Sequence, residues 1–355
     1  MTKEDIYKII DKLIEQNRSF AIYRTPEDDS PNFVIQKDNN ITFLYDIEEL
    51  NGLEGFVISP FKVTKDCPII LIRPDIRDLN DCSFSDFIST PTPVCDEFET
   101  ADYKQAFDVF LEALKEHDFE KLVLSRSNIV DRKDSFSVGR AFYNACDKYI
   151  YSCVYLFHTP VSGTWMGSTP EILLSGKGED WQTIALAGTQ FHPGKNHGVE
   201  WDEKNRKEQE LVSSYIQNQL SSVNVKAEQK GPYTVKAGDL VHLRTDFRFN
   251  LPDKNNIGSL LKLLHPTPAV SGLPKDKAYK FISDNEGYDR KYYSGFLGML
   301  GKDSRSDLYV NLRCMSINKK QFKLYAGGGL LSSSSFEEEW NETEYKLQTM
   351  LKLIK

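Results

Sequence analysis

Cysteine is scarce in this chain, and the cysteines that are present show no metal-binding pattern. The 355 residues contain six of them, at positions 67, 82, 95, 146, 153 and 314, with no C-x-x-C pair. This spacing excludes a zinc finger and predicts reduced, packed cysteines in a cytoplasmic protein. Long apolar runs are also missing, since none approaches the roughly 20 residues that a membrane span needs. The first residues lack the basic and then apolar pattern of a signal peptide, so we expect no membrane partner.

Blocks of basic residues are absent as well. The formal net charge is −8 and the Lys and Arg residues are dispersed, which excludes the footprint of a nucleic-acid-binding protein. An acidic protein that binds an acidic ligand needs local cations or a metal ion. The composition is 40% hydrophobic and 12% aromatic, which is enough for a large, β-rich core in one or two domains.

Short strand-like runs fill the first third of the chain, and longer helices and strands follow. Residues 74–98 contain many Asp, Thr and Pro residues and are predicted to form a linker or a long surface loop. Apolar residues at helical spacing predict helices over 203–221, 257–264 and 275–284. Three apolar runs with the character of strands precede a last helix: 294–300, 308–316 and 322–331.

The C-terminal stretch combines glycines, serines and an acidic helix. Residues 326–329 read Ala-Gly-Gly-Gly, four serines follow, and Glu339, Glu342 and Lys346 then share one face of the predicted helix. Bare backbone, hydroxyl groups and carboxylates together suit an oxyanion that is held through Mg²⁺. The alternative is a turn, a capped surface helix and a solvated acidic face.

Three charged residues occupy apolar surroundings. Glu208 falls on the apolar stripe of the 203–221 helix, so it needs a cation beside it unless it lies at the wet edge of that stripe. Lys121 opens an apolar strand and suits a general base, although lysines at strand ends usually point to water. Glu171 follows a Thr-Pro turn before another apolar strand and suits a general acid if its pKa is raised.

Further candidates lie downstream. His242 alternates with apolar residues on a predicted strand, where it is either a site residue or a satisfied core histidine. Residues 265–274 form a rigid Pro-rich loop of small residues that lets backbone amides approach a ligand, or an ordinary connector. Arg313 is a lone guanidinium in a run that otherwise looks like a buried strand, and it needs a planar anion.

These residues, in this order, resemble the chorismate-utilising enzymes, which include isochorismate synthase, salicylate synthase, anthranilate synthase component I and aminodeoxychorismate synthase component I. The resemblance covers about residues 100–355. It is carried by Lys121-Leu-Val-Leu-Ser-Arg, Gly167-Ser-Thr-Pro-Glu171, Leu186-Ala-Gly-Thr189, Glu208, His265-Pro-Thr-Pro-Ala269, Leu312-Arg313, Ala326-Gly-Gly-Gly329 and Glu339-Trp-Asn-Glu342-Thr-x-x-Lys346. The lysine at 121 and the His-Pro-Thr-Pro-Ala loop look closest to the isochorismate synthases.

The resemblance implies an α+β fold in which two large, mostly antiparallel sheets pack together with helices outside. Residues 1–98 then form the divergent N-terminal portion, and residues 99–355 form the chorismate-binding region of one compact domain. Relatives that use ammonia lack the lysine and pair with a glutaminase, so no such subunit is expected here. We also expect a monomer, because none of the predicted helices resembles a dimer seam.

The resemblance also assigns a role to each residue of the motifs. Lys121 would activate water for attack at ring C2, and Glu171 would protonate the departing 4-hydroxyl group. Mg²⁺ would be the cofactor, with Glu208, Glu339 and Glu342 at the metal. The residues that would bind the substrate chorismate are Gly188, Thr189, His242, Ala269, Arg313, Gly327, Gly328, Gly329 and Lys346.

Two positions depart from the family pattern. Members commonly carry Glu-His where this chain has Glu208-Gln209, and often an acid where it has Asn205. The metal site would then be less acidic on this side, which bears on the affinity for the metal more than on its identity. Other activities also stay open: a salicylate synthase that adds pyruvate elimination, an amine-transferring subunit, or a catalytically silent chorismate-binding scaffold. Neither menaquinone nor siderophore biosynthesis is favoured by the sequence.

Overall fold

A computed structural model describes residues 1–26, 28–38, 40–81, 98, 101–192, 198–251, 256–302 and 304–355. Seven α-helices lie in these ranges, and those predicted over 203–221, 257–264 and 275–284 are confirmed with nearly the same ends. The helices are α1 (Lys3–Glu15), α2 (Tyr103–Lys115), α3 (Val138–Lys148), α4 (Glu203–Ser222), α5 (Ile257–Leu264), α6 (Lys275–Asn285) and α7 (Phe336–Ile354). Most of the predicted linker at 74–98 lies outside the described residues.

The strands form two large sheets in which all described neighbours are antiparallel. The first sheet has eight strands in the order β13-β6-β17-β16-β8-β7-β1-β2. Its strands are β1 (Phe20–Arg24), β2 (Asn32–Ile35), β6 (Lys121–Asp131), β7 (Cys153–Thr159), β8 (Gly163–Thr169), β13 (Gly272–Leu273), β16 (Cys314–Ile317) and β17 (Gln321–Leu330).

The second sheet has nine strands in the order β11-β12-β10-β9-β15-β14-β4-β5-β3. Its strands are β3 (Thr42–Leu44), β4 (Gly55–Ser59), β5 (Ile69–Ile72), β9 (Ile172–Lys177), β10 (Asp180–Phe191), β11 (Ala227–Ala237), β12 (Leu240–Asn250), β14 (Phe296–Leu300) and β15 (Ser306–Val310). Two short 3₁₀ helices, Ile47–Leu50 and Leu79–Asp81, connect elements of the first third of the chain.

The sheets pack face to face, and the helices cover their outer faces. One apolar cluster joins residues of both sheets, such as Tyr155 and Phe157 from the first and Phe56 and Leu297 from the second. A second cluster packs α4 and α5 on the nine-stranded sheet, and a third packs α1, α3 and α7 on the eight-stranded sheet. This arrangement confirms the predicted α+β fold with two packed antiparallel sheets.

The N-terminal third supplies strands to both sheets. β1 pairs with β7 of the eight-stranded sheet, whereas β4 pairs with β14 of the nine-stranded sheet. Residues before and after position 98 therefore share both sheets. None of the helices that the structure describes combines the length and apolarity that a membrane crossing requires.

The apolar run at 308–316 is not one strand. The chain leaves the nine-stranded sheet at the end of β15 and enters the eight-stranded sheet at Cys314. Arg313 makes this crossover with a φ of 47°, in the left-handed region that ends a strand. The interpretation of Arg313 as part of a buried strand is therefore wrong, and the residue projects from a bend between the sheets.

The glycines at 327–329 lie inside β17, as the strand-like run at 322–331 predicts, so the alternative interpretation of a turn is wrong. They pair with Ser125, Leu124 and Val123 of β6. β16 pairs with β17 only up to Leu324, so the other edge of the glycine segment is open.

Candidate active site

One cavity brings most of the predicted site residues together. Strands of the eight-stranded sheet contribute residues 123 and 325–329 to its wall, and strands of the nine-stranded sheet contribute residues 186–189 and 242. The predicted residues that line this cavity are Glu171, Gly188, Thr189, Glu208, His242, Ala269, Arg313, Gly327, Gly328, Gly329 and Lys346. Lys121, Glu339 and Glu342 are not in its lining, but each lies against a residue that is.

Lys121 and Glu208 form a buried ion pair at the wall of the cavity. The Lys121 ammonium lies 2.9 Å from Glu208 Oε1, and the lysine side chain is completely buried. No hydrogen-bond acceptor within the described ranges engages this ammonium group with good geometry. Burial favours the neutral form of Glu208, but the adjacent Lys121, together with the charges of Lys204 and Lys346, outweighs it and holds the pKa of Glu208 below its ordinary value. The predicted need of Glu208 for a cation is met by Lys121.

Glu171 lies between Pro170 and β9, and its carboxyl group has a different environment. Its carbonyl oxygen accepts a hydrogen bond from the Val310 amide, which ties this bend to β15. Burial raises the pKa of Glu171 to about 8, although Lys121, Lys346 and Arg313 act in the opposite direction. The carboxyl group is therefore mostly protonated at neutral pH, as a general acid has to be.

Arg313 and His242 hold each other through a hydrogen bond. Arg313 Nη2 lies 2.8 Å from His242 Nε2, and because a guanidinium group only donates, Nε2 must accept. The ring proton is then on Nδ1, which donates to the Gly188 carbonyl oxygen at 3.1 Å. Burial, with a contribution from Arg313, lowers the pKa of His242 well below its usual range. His242 is thus a neutral imidazole that positions Arg313 and Gly188.

The glycines of β17 leave room for three carboxylates. A Cβ atom on Gly328 would lie 2.9 Å from Glu339 Oε2 and 3.4 Å from Glu342 Oε1. A Cβ atom on Gly329 would lie 2.7 Å from Lys121 Cε and closer still to Glu208 Oε1. Any other residue at 328 or 329 would displace these side chains, so glycine is needed because of close approach.

Each of the three glutamates is paired with one lysine. Glu208 pairs with Lys121, Glu339 with Lys204 of α4, and Glu342 with Lys346 at 2.6 Å one helical turn away. Lys346 also donates to the Gly327 carbonyl oxygen at 2.8 Å. The alternative of a solvated acidic face is wrong for Glu339, whose side chain is completely buried.

The structure offers a test of whether these residues suit Mg²⁺. Among the described residues, no group of three or more His, Cys, Asp or Glu side chains already converges as a metal site. However, Glu339 Oε2 is buried without a hydrogen-bond partner there, and it faces Gly328 together with Glu342 Oε1. An orphaned carboxylate oxygen beside a second carboxylate, over bare backbone, is a donor set that fits a hard cation. Glu339 and Glu342 are therefore compatible with Mg²⁺.

The side chains at the two departures from the family pattern form hydrogen bonds with β10 and with Asp202. The Asn205 side chain accepts a hydrogen bond from the Thr189 amide at 2.9 Å and donates to Asp202. Gln209 accepts from the Ala187 amide at 2.9 Å and donates to the carbonyl oxygen of Ala185 at 3.2 Å. Both side chains thus fix the part of β10 that carries Gly188 and Thr189.

Sequence reasoning missed three residues of the site. Tyr293 lines the cavity, and an added Cβ atom on Gly327 would lie 2.9 Å from its hydroxyl oxygen. Lys204 pairs with Glu339, and Ser334 donates a hydrogen bond to the same carboxylate. The only sequence signal for Lys204 was its position one helical turn before Glu208, which suggests the wrong partner.

Comparisons with known proteins find several relatives of this chain. The isochorismate synthase EntC of Escherichia coli K12 is 33% identical over 210 residues, which are 56% of this chain and 54% of that protein. The chain thus spans about half the length of this relative. The isochorismate synthase DhbC of Bacillus subtilis strain 168 is 28% identical over 278 residues, 72% of this chain and 68% of that protein.

The fold has close counterparts as well. The structure of MenF, the menaquinone-specific isochorismate synthase of Escherichia coli, matches with a TM-score of 0.80 at 21% identity, over 97% of this chain and 90% of that chain. At this identity the match shows the fold alone. Residues 77–355 match the sequence model of a family described as chorismate binding enzyme. Because this match covers most of the chain, the protein belongs to the chorismate binding enzymes.

Proposed function

We propose that the protein is an isochorismate synthase that converts chorismate reversibly to isochorismate. The observation that carries this proposal is the placement of Lys121 and Glu171. Lys121 opens β6 of the eight-stranded sheet, Glu171 precedes β9 of the nine-stranded sheet, and both lie at one cavity. In the proposed reaction the base and the protonated acid would reach the ring from strands of different sheets, which suits the exchange of a hydroxyl group between C4 and C2.

The proposed reaction balances with these two groups. Lys121 in its neutral form takes a proton from a water molecule whose oxygen forms a bond to ring C2. The ring double bonds shift, the C4–O bond breaks, and the departing hydroxyl group takes the proton of Glu171 and leaves as water. The reverse reaction uses the same pair with exchanged roles.

The cavity also supplies cations for a substrate with two carboxylates. The Arg313 guanidinium is buried and held by His242, and Lys346 of α7 lies beside Gly327. Burial lowers the pKa of Arg313 to about 10, which leaves it charged at neutral pH. Arg313 would bind the enolpyruvyl carboxylate, together with backbone amides of the glycines at 327–329.

Glu208, Glu342 and Glu339 would hold the Mg²⁺ cofactor. When bound, the ion would neutralise and orient the ring carboxylate of chorismate. Ala269, Gly188 and Thr189 complete the wall around the ring. We expect the chain to act as a monomer without a glutaminase, and the cytoplasmic location stays a prediction.

Product analysis tests the function. Incubation with chorismate and Mg²⁺, followed by chromatography, is expected to yield isochorismate, with no turnover after chelation of the metal. Release of salicylate would show that the protein is a salicylate synthase. An aminated product in the presence of ammonium would identify an amine-transferring subunit. No turnover of chorismate would indicate a catalytically silent scaffold.

The base is tested with a matched pair of lysine variants. Lys121→Ala is expected to lower turnover by about 10²-fold or more, the usual contribution of a general base. Lys207→Ala is the control, because Lys207 lies on α4 but is exposed and pairs with Glu210. Unchanged turnover in Lys121→Ala would remove the assignment of the base.

A further inference from the structure

Lys204 lies beside the proposed metal ligand Glu339 but has no role in the proposed reaction. It lies in the first turn of α4 and reaches across to Glu339 on α7, where its ammonium group contacts Oε1. Ser334 donates a hydrogen bond to the same oxygen at 2.7 Å. The Leu331 amide donates to Ser334 Oγ at 3.1 Å, which leaves the hydroxyl proton for Glu339.

The two oxygens of Glu339 therefore have different surroundings. Oε1 takes both donors, whereas Oε2 is buried and has no hydrogen-bond partner in the described part of the chain. Oε2 is also the oxygen that faces Gly328, on the side where Glu342 Oε1 lies. A carboxylate that is anchored through one oxygen presents the other in a fixed direction.

We propose that Lys204 is a positioning residue for the metal, which holds Glu339 through Oε1 so that Oε2 serves as the ligand. This inference rests on the proposed function, because it takes Mg²⁺ to be the cofactor. The opposite role, in which Lys204 competes with the ion, would place its ammonium group on the oxygen that faces Gly328 and Glu342. The observed contact is to the other oxygen.

Metal binding by the full-length protein tests the role. Mn²⁺ serves as the probe for the Mg²⁺ site, and electron paramagnetic resonance counts the free ion. Lys204→Gln is expected to weaken Mn²⁺ binding about tenfold or more, as is typical when the partner of a ligand is lost. Lys204→Arg should restore most of the affinity, and Ser334→Ala should weaken binding in the same direction by a smaller factor.

Two further measurements separate positioning from a purely structural role. In Lys204→Gln the half-saturating Mg²⁺ concentration for turnover should rise in parallel, while kcat at saturating Mg²⁺ is retained. Lys207→Gln, an exposed substitution three residues along α4, should leave Mn²⁺ binding unchanged. Circular dichroism should show that both variants are folded.

Equal or tighter Mn²⁺ binding in Lys204→Gln would overturn the proposal, and so would a loss of kcat that excess Mg²⁺ cannot recover. A wild-type protein that binds neither ion would overturn the cofactor assignment and this inference together. If the wild type binds metal and forms isochorismate, and Lys204→Gln binds Mn²⁺ as tightly as the wild type, this inference alone would be overturned.

Discussion

Glu171 and Glu208 line the same cavity but differ in protonation because their neighbours differ. Glu208 has Lys121 at 2.9 Å, and this lysine together with the charges of Lys204 and Lys346 keeps the pKa of Glu208 below its ordinary value despite burial. Glu171 is buried as deeply but lies farther from any cation, so burial dominates and its pKa rises to about 8. Position relative to the surrounding cations, Lys121 foremost, therefore decides which carboxylate can donate a proton.

Glu171→Gln tests the role of the acid with little change in shape. The amide cannot protonate the leaving hydroxyl group, so turnover should fall by about 10²- to 10⁴-fold while the KM for chorismate changes little. Steady-state kinetics by product chromatography measures both quantities. A variant that keeps most of its kcat would show that the proton comes from elsewhere.

The pH profile of the wild type should carry the signature of the same group. Glu171 acts only when protonated, and its pKa is about 8, so kcat should fall as the pH rises through that value. Glu171→Gln has no such group, and its residual activity should lose this alkaline limb. The same limb in both proteins would assign it to another residue.

The sequence predicted that Glu208 needs a cation but could not name it. Lys204 is one helical turn away on α4 and was the natural partner by spacing, yet it pairs with Glu339. The actual partner, Lys121, is remote in sequence and meets Glu208 only because α4 packs beside the strands. Pairing across elements depends on tertiary packing, which residue spacing does not encode.

At the scale of elements, β17 shows why three successive glycines are needed. The strand passes directly under Glu208, Glu339 and Glu342, and a side chain at 328 or 329 would occupy the space of their carboxylates. The sequence left two interpretations of these glycines open, a strand-like run over 322–331 or a turn, because glycines commonly form turns. The structure instead uses them for close packing inside a strand, and their pairing with β6 keeps that strand regular.

Gly329→Ala should therefore damage the site more than the fold. The added methyl group would lie 2.7 Å from Lys121 Cε and nearer to Glu208 Oε1, so the ion pair must shift. We expect a loss of about 1–3 kcal/mol in the free energy of unfolding, together with weaker Mn²⁺ binding and much lower turnover. Urea unfolding and metal titration measure these effects, and wild-type turnover would contradict the predicted crowding.

The run at 308–316 shows that an apolar pattern does not reveal where the chain passes from one sheet to another. Its apolar residues predicted one buried strand, and both halves are indeed buried strands. They belong to different sheets because the chain bends at Arg313, and no glycine or proline marks that bend. The lone charge was the only clue, since a buried guanidinium group needs a hydrogen-bonding partner.

On the scale of the whole molecule, the two packed sheets bring Glu171 and the Lys121–Glu208 ion pair, the proposed acid and base, to one cavity. Residues 1–98 add β1 and β2 to one sheet and β3, β4 and β5 to the other, so both sheets depend on the N-terminal third. This arrangement supports our proposal that residues 1–98 and 99–355 form one domain. The family motifs predicted the catalytic half of the fold, whereas nothing in the N-terminal pattern predicted which sheet its strands would join.

The N-terminal third is also tied to the rest through a buried histidine on β7. His158 Nε2 lies 2.9 Å from Asn17 Oδ1, which follows α1, and its Nδ1 lies 2.8 Å from Thr164 Oγ1 on β8. Burial lowers the pKa of His158 to about 4, so the imidazole is neutral in the folded protein at neutral pH. The unfolded chain binds a proton near pH 6.5, the ordinary value for histidine.

His158 should therefore destabilise the fold as the pH falls. Between pH 6.5 and about 4 the unfolded state binds one proton more than the folded state at this residue, so the free energy of unfolding decreases with acidification. The shift corresponds to about 3 kcal/mol at pH 4. His158→Gln should be less stable than the wild type at pH 7 because its contacts with Asn17 and Thr164 change, but the gap should shrink by about that amount at pH 4. Urea unfolding at both pH values measures the gap, and a constant difference would mean that His158 does not couple proton binding to folding.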